Sequence, residues 1–245
     1  MPDTRLSVVI PAFNEERLLE RFLIHTQTSL PAQSEMIVVD GGSSDSSYQM
    51  AIDFAAKHKN VQVIQSAKGR AVQMNAGAEQ AEGRYLLFLH VDTRLPNDFS
   101  SEFESWSRRE PVWGFSAVKI AGDEAWCALI SSSINLRTRI TSGASGDQAL
   151  MVRRDVFVEL SGYRLIALME DIDLSYRLRR QVKPNRLSIR VETSGRRWRE
   201  KGVVRTILLM WFLRTSFLLG VSPERLARFY DARSNDAKNN KTDQN

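Results

Sequence analysis

Cysteine is almost absent from this 245-residue chain: Cys127 is the only one. No internal disulfide is possible, so the fold has to rest on an apolar core. A charged-then-apolar leader is also missing. A strand-like run starts at Leu6, so no signal peptide is expected and a reducing cytoplasmic setting is the default. The Gly-x-Gly-x-x-Gly turn that a dinucleotide dehydrogenase places after its first strand is not there; Pro11-Ala12-Phe13-Asn14 occupies that position. The same residues stand where a sugar-phosphate nucleotidyltransferase would carry a Gly-rich, basic phosphate loop. There are no internal repeats.

An uninterrupted membrane span is lacking too. Val203 to Val221 comes nearest, with Ile207-Leu208-Leu209-Met210-Trp211-Phe212-Leu213, but Arg205 and Arg214 break it. An Arg at a span's centre costs about 2.5–3.5 kcal/mol even on the lenient insertion scale. An interfacial helix beside the basic residues from Arg196 to Arg205 is one reading; a core helix or a homodimer contact is the other.

The composition that is present is that of a folded protein, with 42% hydrophobic and 26% charged residues. The net charge of +5 is uneven. Arg177 to Arg205 holds eleven Lys/Arg against Glu192 and Glu200. Such a block suits anionic lipid or a diphosphate, or forms a solvated helix face; nucleic acid is not the expected partner.

Strand-like and helix-like runs alternate from the start. Leu6–Ile10 reads as a strand stopped by Pro11, with Asn14 capping a helix that opens on Glu15 and Glu16. Met36–Val39 reads as a second strand ending at Asp40, and a helix follows the Gly41-Gly42-Ser43-Ser44-Asp45 loop to about Lys57. Val61–Ile64 is a third strand, and a helix from about Ala71 to Ala81 precedes a fourth, Leu86-Leu87-Phe88-Leu89. This order predicts a parallel sheet of βαβ units, with the first, second and fourth strands ending in polar clusters on one edge, where ligands bind. Asp92, just past the fourth strand, is placed for a ligand or a metal. Beyond Pro96, Val112–Ile120 has strand character. Glu124–Ile140 is helix-like, with Trp126, Leu129, Ile130 and Ile134 along one side; Ala149–Val152 is a short strand. A helix starts at Met169-Glu170-Asp171 and runs to about Arg180. Asp231 to Asn245 is polar and expected to be disordered.

Several of these stretches resemble family 2 glycosyltransferases of the GT-A fold. They are Ser7-Val8-Val9-Ile10-Pro11-Ala12-Phe13-Asn14-Glu15-Glu16, Val38-Val39-Asp40-Gly41-Gly42-Ser43-Ser44-Asp45, Lys68-Gly69-Arg70-Ala71-Val72-Gln73-Met74-Asn75-Ala76-Gly77, Gly146-Asp147-Gln148 and Glu170-Asp171-Ile172-Asp173-Leu174. His90-Val91-Asp92-Thr93-Arg94-Leu95-Pro96 is similar to a bacterial subgroup of small members in which His replaces the first Asp of the metal motif. The resemblance implies an α/β fold: a Rossmann-like, mainly parallel mixed sheet flanked by helices, with a C-terminal helical extension. It implies a transferase domain over 1–200, with a nucleotide half to about 96 and an acceptor half beyond. A helical extension covers 201–230 and a tail 231–245.

The resemblance also implies an inverting transfer from a nucleotide-diphospho-sugar, UDP before GDP, to a hydroxyl acceptor, with Mn²⁺ or Mg²⁺. A lipid-linked acceptor and a peripheral position on the inner membrane face, through 196–221, fit the basic block and apolar helix. Pro11, Ala12, Glu15 and Asp40 would line the nucleotide, and Lys68 and Arg70 would reach it or its phosphates. Asp92, with His90, would hold the metal. Asp171 would be the general base, with Glu170 beside it structural or supporting, and Asp173 a first-turn acid. Asp147 and Gln148 would meet the acceptor. Arg197 and Trp198 would meet the diphosphate or a sugar, in a segment where Ser194 replaces the Gln of the processive synthases' Gln-x-x-Arg-Trp. The alternatives are a basic binding protein without transferase activity and the nucleotidyltransferase.

Overall fold

The computed structural model describes residues 6–230. The expected tail at 231–245 lies outside them. Along the chain run β1 (Leu6–Ala12), α1 (Leu19–Ser29), β2 (Ser34–Asp40), α2 (Ser47–Ala55), β3 (Val61–Gln65), α3 (Arg70–Gln80), β4 (Tyr85–Phe88) and β5 (Thr93–Arg94). Then come α4 (Phe99–Ser107), β6 (Trp113–Gly114), β7 (Ala117–Ile120), α5 (Ala125–Thr141), a 3₁₀ turn (Gly146–Gln148) and β8 (Leu150–Arg153). The described part continues through α6 (Arg154–Glu159), α7 (Glu170–Gln181), β9 (Arg190–Thr193), α8 (Arg196–Lys201) and α9 (Val203–Leu218).

The main sheet has the order β3-β2-β1-β4-β8-β6. Its first four strands are parallel, and β8 and β6 are each antiparallel to their neighbours. This is a mixed, mostly parallel sheet flanked by helices, with a helical extension at the C-terminal end. The fourth strand's unbroken apolar run follows from burial on both faces. Leu87 packs on one side with Val8, Ile10, Leu23 and Phe103, while Leu86 and Phe88 pack on the other with Val9, Met74 and Leu174. Gly77 brings α3 onto that second face. A Cβ there would stand 2.5 Å from Val9 Cγ1 and 2.9 Å from Val39 Cγ2.

Three local expectations are corrected. Pro11 does not stop β1, which pairs on through Pro11 and Ala12 with Val39 and Asp40. The missing N–H costs nothing there: alternate residues face β4, whose last bond to β1 is Leu89 N–H to Val9 O. Asn14 does not cap α1. It sits at φ 54°, a turn intervenes, and the helix begins at Leu19. Val112–Ile120 is not one strand: β6 joins the main sheet, whereas β7 joins a second sheet of order β5-β9-β7. Ser116, between them, donates its N–H to Gln148 O.

On α5 the expected apolar side holds for Trp126, Ile130 and Ile134, which pack together with Cys127, but not for Leu129, which is 69% exposed. The stretch 203–221 is divided as well. Thr206, Leu209 and Leu213 of α9 are buried, with the two leucines against Met169, Ile172 and Leu226, and the opposite face of α9 is open. No helix among the described residues is long and apolar enough to cross a membrane.

Candidate active site

The parallel strands deliver their C-terminal ends to one edge. There the loops after β1 and β2 are stitched together. Asn14 N–H donates to Ser43 Oγ, Glu15 N–H to Ser47 Oγ, and Glu16 N–H to Asp45 Oδ2. In the return direction Ser44 N–H donates to Asn14 Oδ1 and Ser46 N–H to Glu16 Oε2. Asn14 and Glu16 thus serve the crevice wall rather than a helix cap. Asp40 is 1% exposed, and its Oδ2 accepts from Gly42 and Ser43 N–H at 2.9 and 3.0 Å. Its Oδ1 is buried with no partner in the protein, an arrangement that a ligand N–H or O–H would complete. Lys68 places its Nζ 4.0 Å from the centre of the Phe13 ring, closing the rim of the same edge.

Gln73 is the donor-side residue that sequence reasoning missed. Only 3% exposed, it donates from Nε2 to Ala12 O and Val39 O and so ties the ends of β1 and β2 together, while its carboxamide packs under Gly41. The signal was a single polar residue on the otherwise apolar side of α3 formed by Ala71, Met74, Gly77 and Ala78.

After β4 the chain turns, with Thr93 N–H bonded to His90 O. His90 and Asp92 therefore lie within one turn rather than along an extended strand end. Asp92 is exposed, and its carboxylate takes only a long contact from Thr93 Oγ1 at 3.4 Å. Glu15 lies close to it. Burial first, then repulsion from Asp92, raises the Glu15 pKa. His90 turns its Nε2 edge onto Gly146, where a Cβ would collide with the ring. Burial and the nearby Arg70 charge lower its pKa, against the pull of Asp92, Asp171 and Asp147, so it is held neutral.

His90 thus joins the donor edge to the acceptor loop, and α7 holds that loop from the other side. Gly146 N–H donates to Asp171 Oδ2 at 2.6 Å, and Ile172 N–H donates to Asp171 Oδ1 at 2.7 Å. Glu170, one residue earlier, points inward: it is 2% exposed and paired through Oε1 with Arg70 Nε at 2.8 Å, leaving Oε2 buried without a partner. Burial, reinforced by repulsion from Asp171, pushes the Glu170 pKa up to about 7; the Arg70 charge opposes this without winning. Arg70, on the first turn of α3, therefore binds the donor half to the acceptor half.

Among the described residues no three or more His, Cys, Asp or Glu side chains converge as a cation cage. What Asp92 offers is one exposed, hard-oxygen carboxylate, which fits a divalent ion that brings phosphate oxygens with it.

The family model described as "Glycosyl transferase family 2" matches residues 7–129, half of the chain. The chain belongs to glycosyl transferase family 2. The chain is 33% identical over 135 residues to a dolichyl-phosphate beta-glucosyltransferase of Drosophila melanogaster, covering 49% of this chain and 40% of that protein. It is 27% identical over 135 residues to an uncharacterized glycosyltransferase of Haemophilus influenzae, covering 54% and 52%. The chain spans about half or less of the length of these relatives. In fold it resembles S. aureus TarS, solved in complex with UDP-GlcNAc, with a TM-score of 0.63, 18% identity, and coverage of 78% of this chain and 58% of that one. Asp40, Arg70, His90 and Asp92 lie inside the family match; Asp147 and Asp171 lie beyond it.

Two residues expected on the acceptor side, Gln148 and Trp198, have other work, and Asp173 differs from its expected place as well. Gln148 is fully buried, its Oε1 accepting from Thr138 Oγ1 and Ser145 N–H, so it shapes the loop and has no free group for an acceptor. Trp198 packs with Ile120, Cys127 and Ile130. Asp173 is not a solvent-facing first-turn acid. It is 9% exposed and accepts from Arg177 at 2.7 Å and Arg164 at 3.1 Å. The Arg197 side chain lies outside the described residues. Arg137 was missed altogether. It donates to Gly143 O and Thr138 Oγ1, and burial, then repulsion from Arg214, lowers its pKa to about 10 beside Asp147 and Asp171. Its signal was a cation within a helix that has no acid to pair with it.

Proposed function

We propose that this glycosyltransferase moves a sugar from a UDP-sugar to a hydroxyl acceptor with inversion, assisted by a divalent cation. The carrying observation is the junction at His90, where the Asp92 turn of the donor edge meets the Gly146-Asp147 loop held by Asp171. The nucleotide lies over Pro11, Ala12 and Glu15, and its base completes the open valence of Asp40 Oδ1. Asp92 and the donor's own phosphates hold Mn²⁺ or Mg²⁺, which when bound neutralises charge on the departing diphosphate. Neutral His90 stands in place of the family's first metal-motif acid and orients the acceptor loop.

Asp171 is the general base. Its oxygens each accept one backbone N–H, which fixes the carboxylate while leaving lone pairs for the acceptor's O–H. Asp147, in the Gly146 loop, orients that hydroxyl. Glu170 and Arg70 keep the two halves in register. Lys68 and Arg70 supply cationic donors at the diphosphate side.

The test is a panel of sugar nucleotides incubated with Mn²⁺, read as thermal stabilisation and nucleoside-diphosphate release. Stabilisation by a UDP-sugar supports the reading; equal indifference to every sugar nucleotide overturns it. A donor that stabilises equally with and without Mn²⁺ removes the cation from the reading.

A further inference from the structure

The transfer reaction leaves one large surface unexplained. The helices α5 and α9 lie side by side: Val203 and Ile207 share a cluster with Trp126, Ile130 and Ile134, and further along Arg214 is near enough for its charge to repel that of Arg137. Each buries one face and opens the other. On α5 the open face carries Leu129, Leu136 and Ile140, at spacings of seven and four residues. On α9 it carries Leu208, Trp211 and Leu218, at spacings of three and seven. All six are at least 60% exposed. These spacings keep each set on one side of its helix. Soluble monomers rarely leave apolar area of this extent uncovered.

The charge on these helices has one sign. Between Ala125 and Thr141 there is no acid, only Arg137 and Arg139. Between Val203 and Leu218 there is again no acid, only Arg205 and Arg214. We propose that α5 and α9 together form a face that docks on an anionic bilayer, lying in the headgroup plane without crossing it. Apolar side chains with a Trp enter the acyl boundary, and the exposed Arg139 meets lipid phosphates on helices that carry no acid to repel them. A second copy of the chain fits the charge less well, because a two-fold contact would bring these acid-free, arginine-bearing helices against themselves. The C-terminal end of α5 runs into the Gly143–Gln148 loop beside Asp171, so docking sets the acceptor side of the crevice against the headgroups. The docking face rests on exposure and charge alone, independently of the transfer reading.

The experiment is co-sedimentation of the full chain with vesicles of phosphatidylcholine alone and of phosphatidylcholine mixed with phosphatidylglycerol, alongside its mass in solution. Binding is expected to the anionic vesicles and to weaken with added salt. Leu136→Glu on α5 and Trp211→Glu on α9 should each reduce it by about tenfold or more, given what one buried large side chain contributes. Both positions are exposed, so melting temperature should stay unchanged. Loss in Leu136→Glu separates the two-helix face from α9 acting alone. The proposal fails if anionic vesicles bind no better than neutral ones, if Leu136→Glu binds like the wild type, or if the same substitutions instead dissolve a dimer.

Discussion

The two edges of the crevice are built differently. At the donor edge, polar groups of the β1 and β2 loops satisfy one another across the strands, leaving Asp40 Oδ1 as the open valence. Both edges bury a carboxylate, Asp40 on one and Glu170 on the other, but the acceptor edge carries more backbone strain than the donor edge, where Asn14 is the one non-glycine residue at positive φ among the described residues. Ser142, Ala149 and Met169, none of them glycine, have positive φ of 54°, 48° and 71°, and Glu170 is held inside the protein. Such backbone conformations each cost on the order of 1–3 kcal/mol and persist only where the surroundings enforce them. A binding surface gains from a relaxed, preorganised wall. The acceptor edge holds its loop and helix in fixed positions, and stability is lost to hold them.

The largest expected effect breaks the acceptor edge. Asp171→Asn should lower turnover by about 100- to 10,000-fold, the range of a general base, while UDP-sugar still raises the melting temperature. Turnover within a few fold of wild type would move the base elsewhere. Next, on the donor edge, Asp92→Ala should cost about 100-fold in UDP release, on the scale of lost electrostatic stabilisation. Its melting temperature should not move, because that carboxylate is exposed and nearly unbonded. Full turnover at limiting Mn²⁺ would remove Asp92 from the metal site.

Glu170 gives the third contrast. Its folded pKa, about 7, lies above the ordinary carboxylate value, so its protonated form favours the native state. The stability this provides is complete below about pH 4.5 and is lost as pH rises through 7, about 2–3 kcal/mol between pH 5 and 8. Glu170→Gln should flatten that slope and match or exceed wild-type stability at pH 8, since Arg70 is 45% exposed and can turn to water. Chemical denaturation at the two pH values measures it, and an unchanged slope would rule out the buried-carboxylate account. The smallest effect tests the relaxed edge. Gln73→Leu should cost about 1–2 kcal/mol, because it strips two carbonyls of a partner, and should weaken UDP binding through the splayed ends of β1 and β2.

The donor half was legible because its rules are local. Each strand announced itself as an apolar run, each helix by its spacing, and the parallel order put Asp40 and Asp92 on one edge. What failed there was fine detail, as at Asn14, whose partners lie 29 and 30 residues away. Beyond Pro96 the links are longer and the strands shorter, so periodicity carries less. Two-residue strands such as β5 and β6 leave no pattern to read. Gln148 and Trp198 were expected at the acceptor for their chemistry, yet their surroundings spend them on structure.

By itself the sequence determined the α/β class, the parallel βαβ order, the family motifs and which carboxylates stand at the strand and helix ends, because apolar period and strand direction are properties of adjacent residues. Only the tertiary structure decided which carboxylate is buried and which is exposed, that His90 faces Gly146 across the crevice, and that Arg70 closes on Glu170. It also decided which sides of α5 and α9 are left open. Burial and the distance between charges are set by residues far apart in the chain. A pKa, an ion pair or an uncovered face exists only once packing has brought them together.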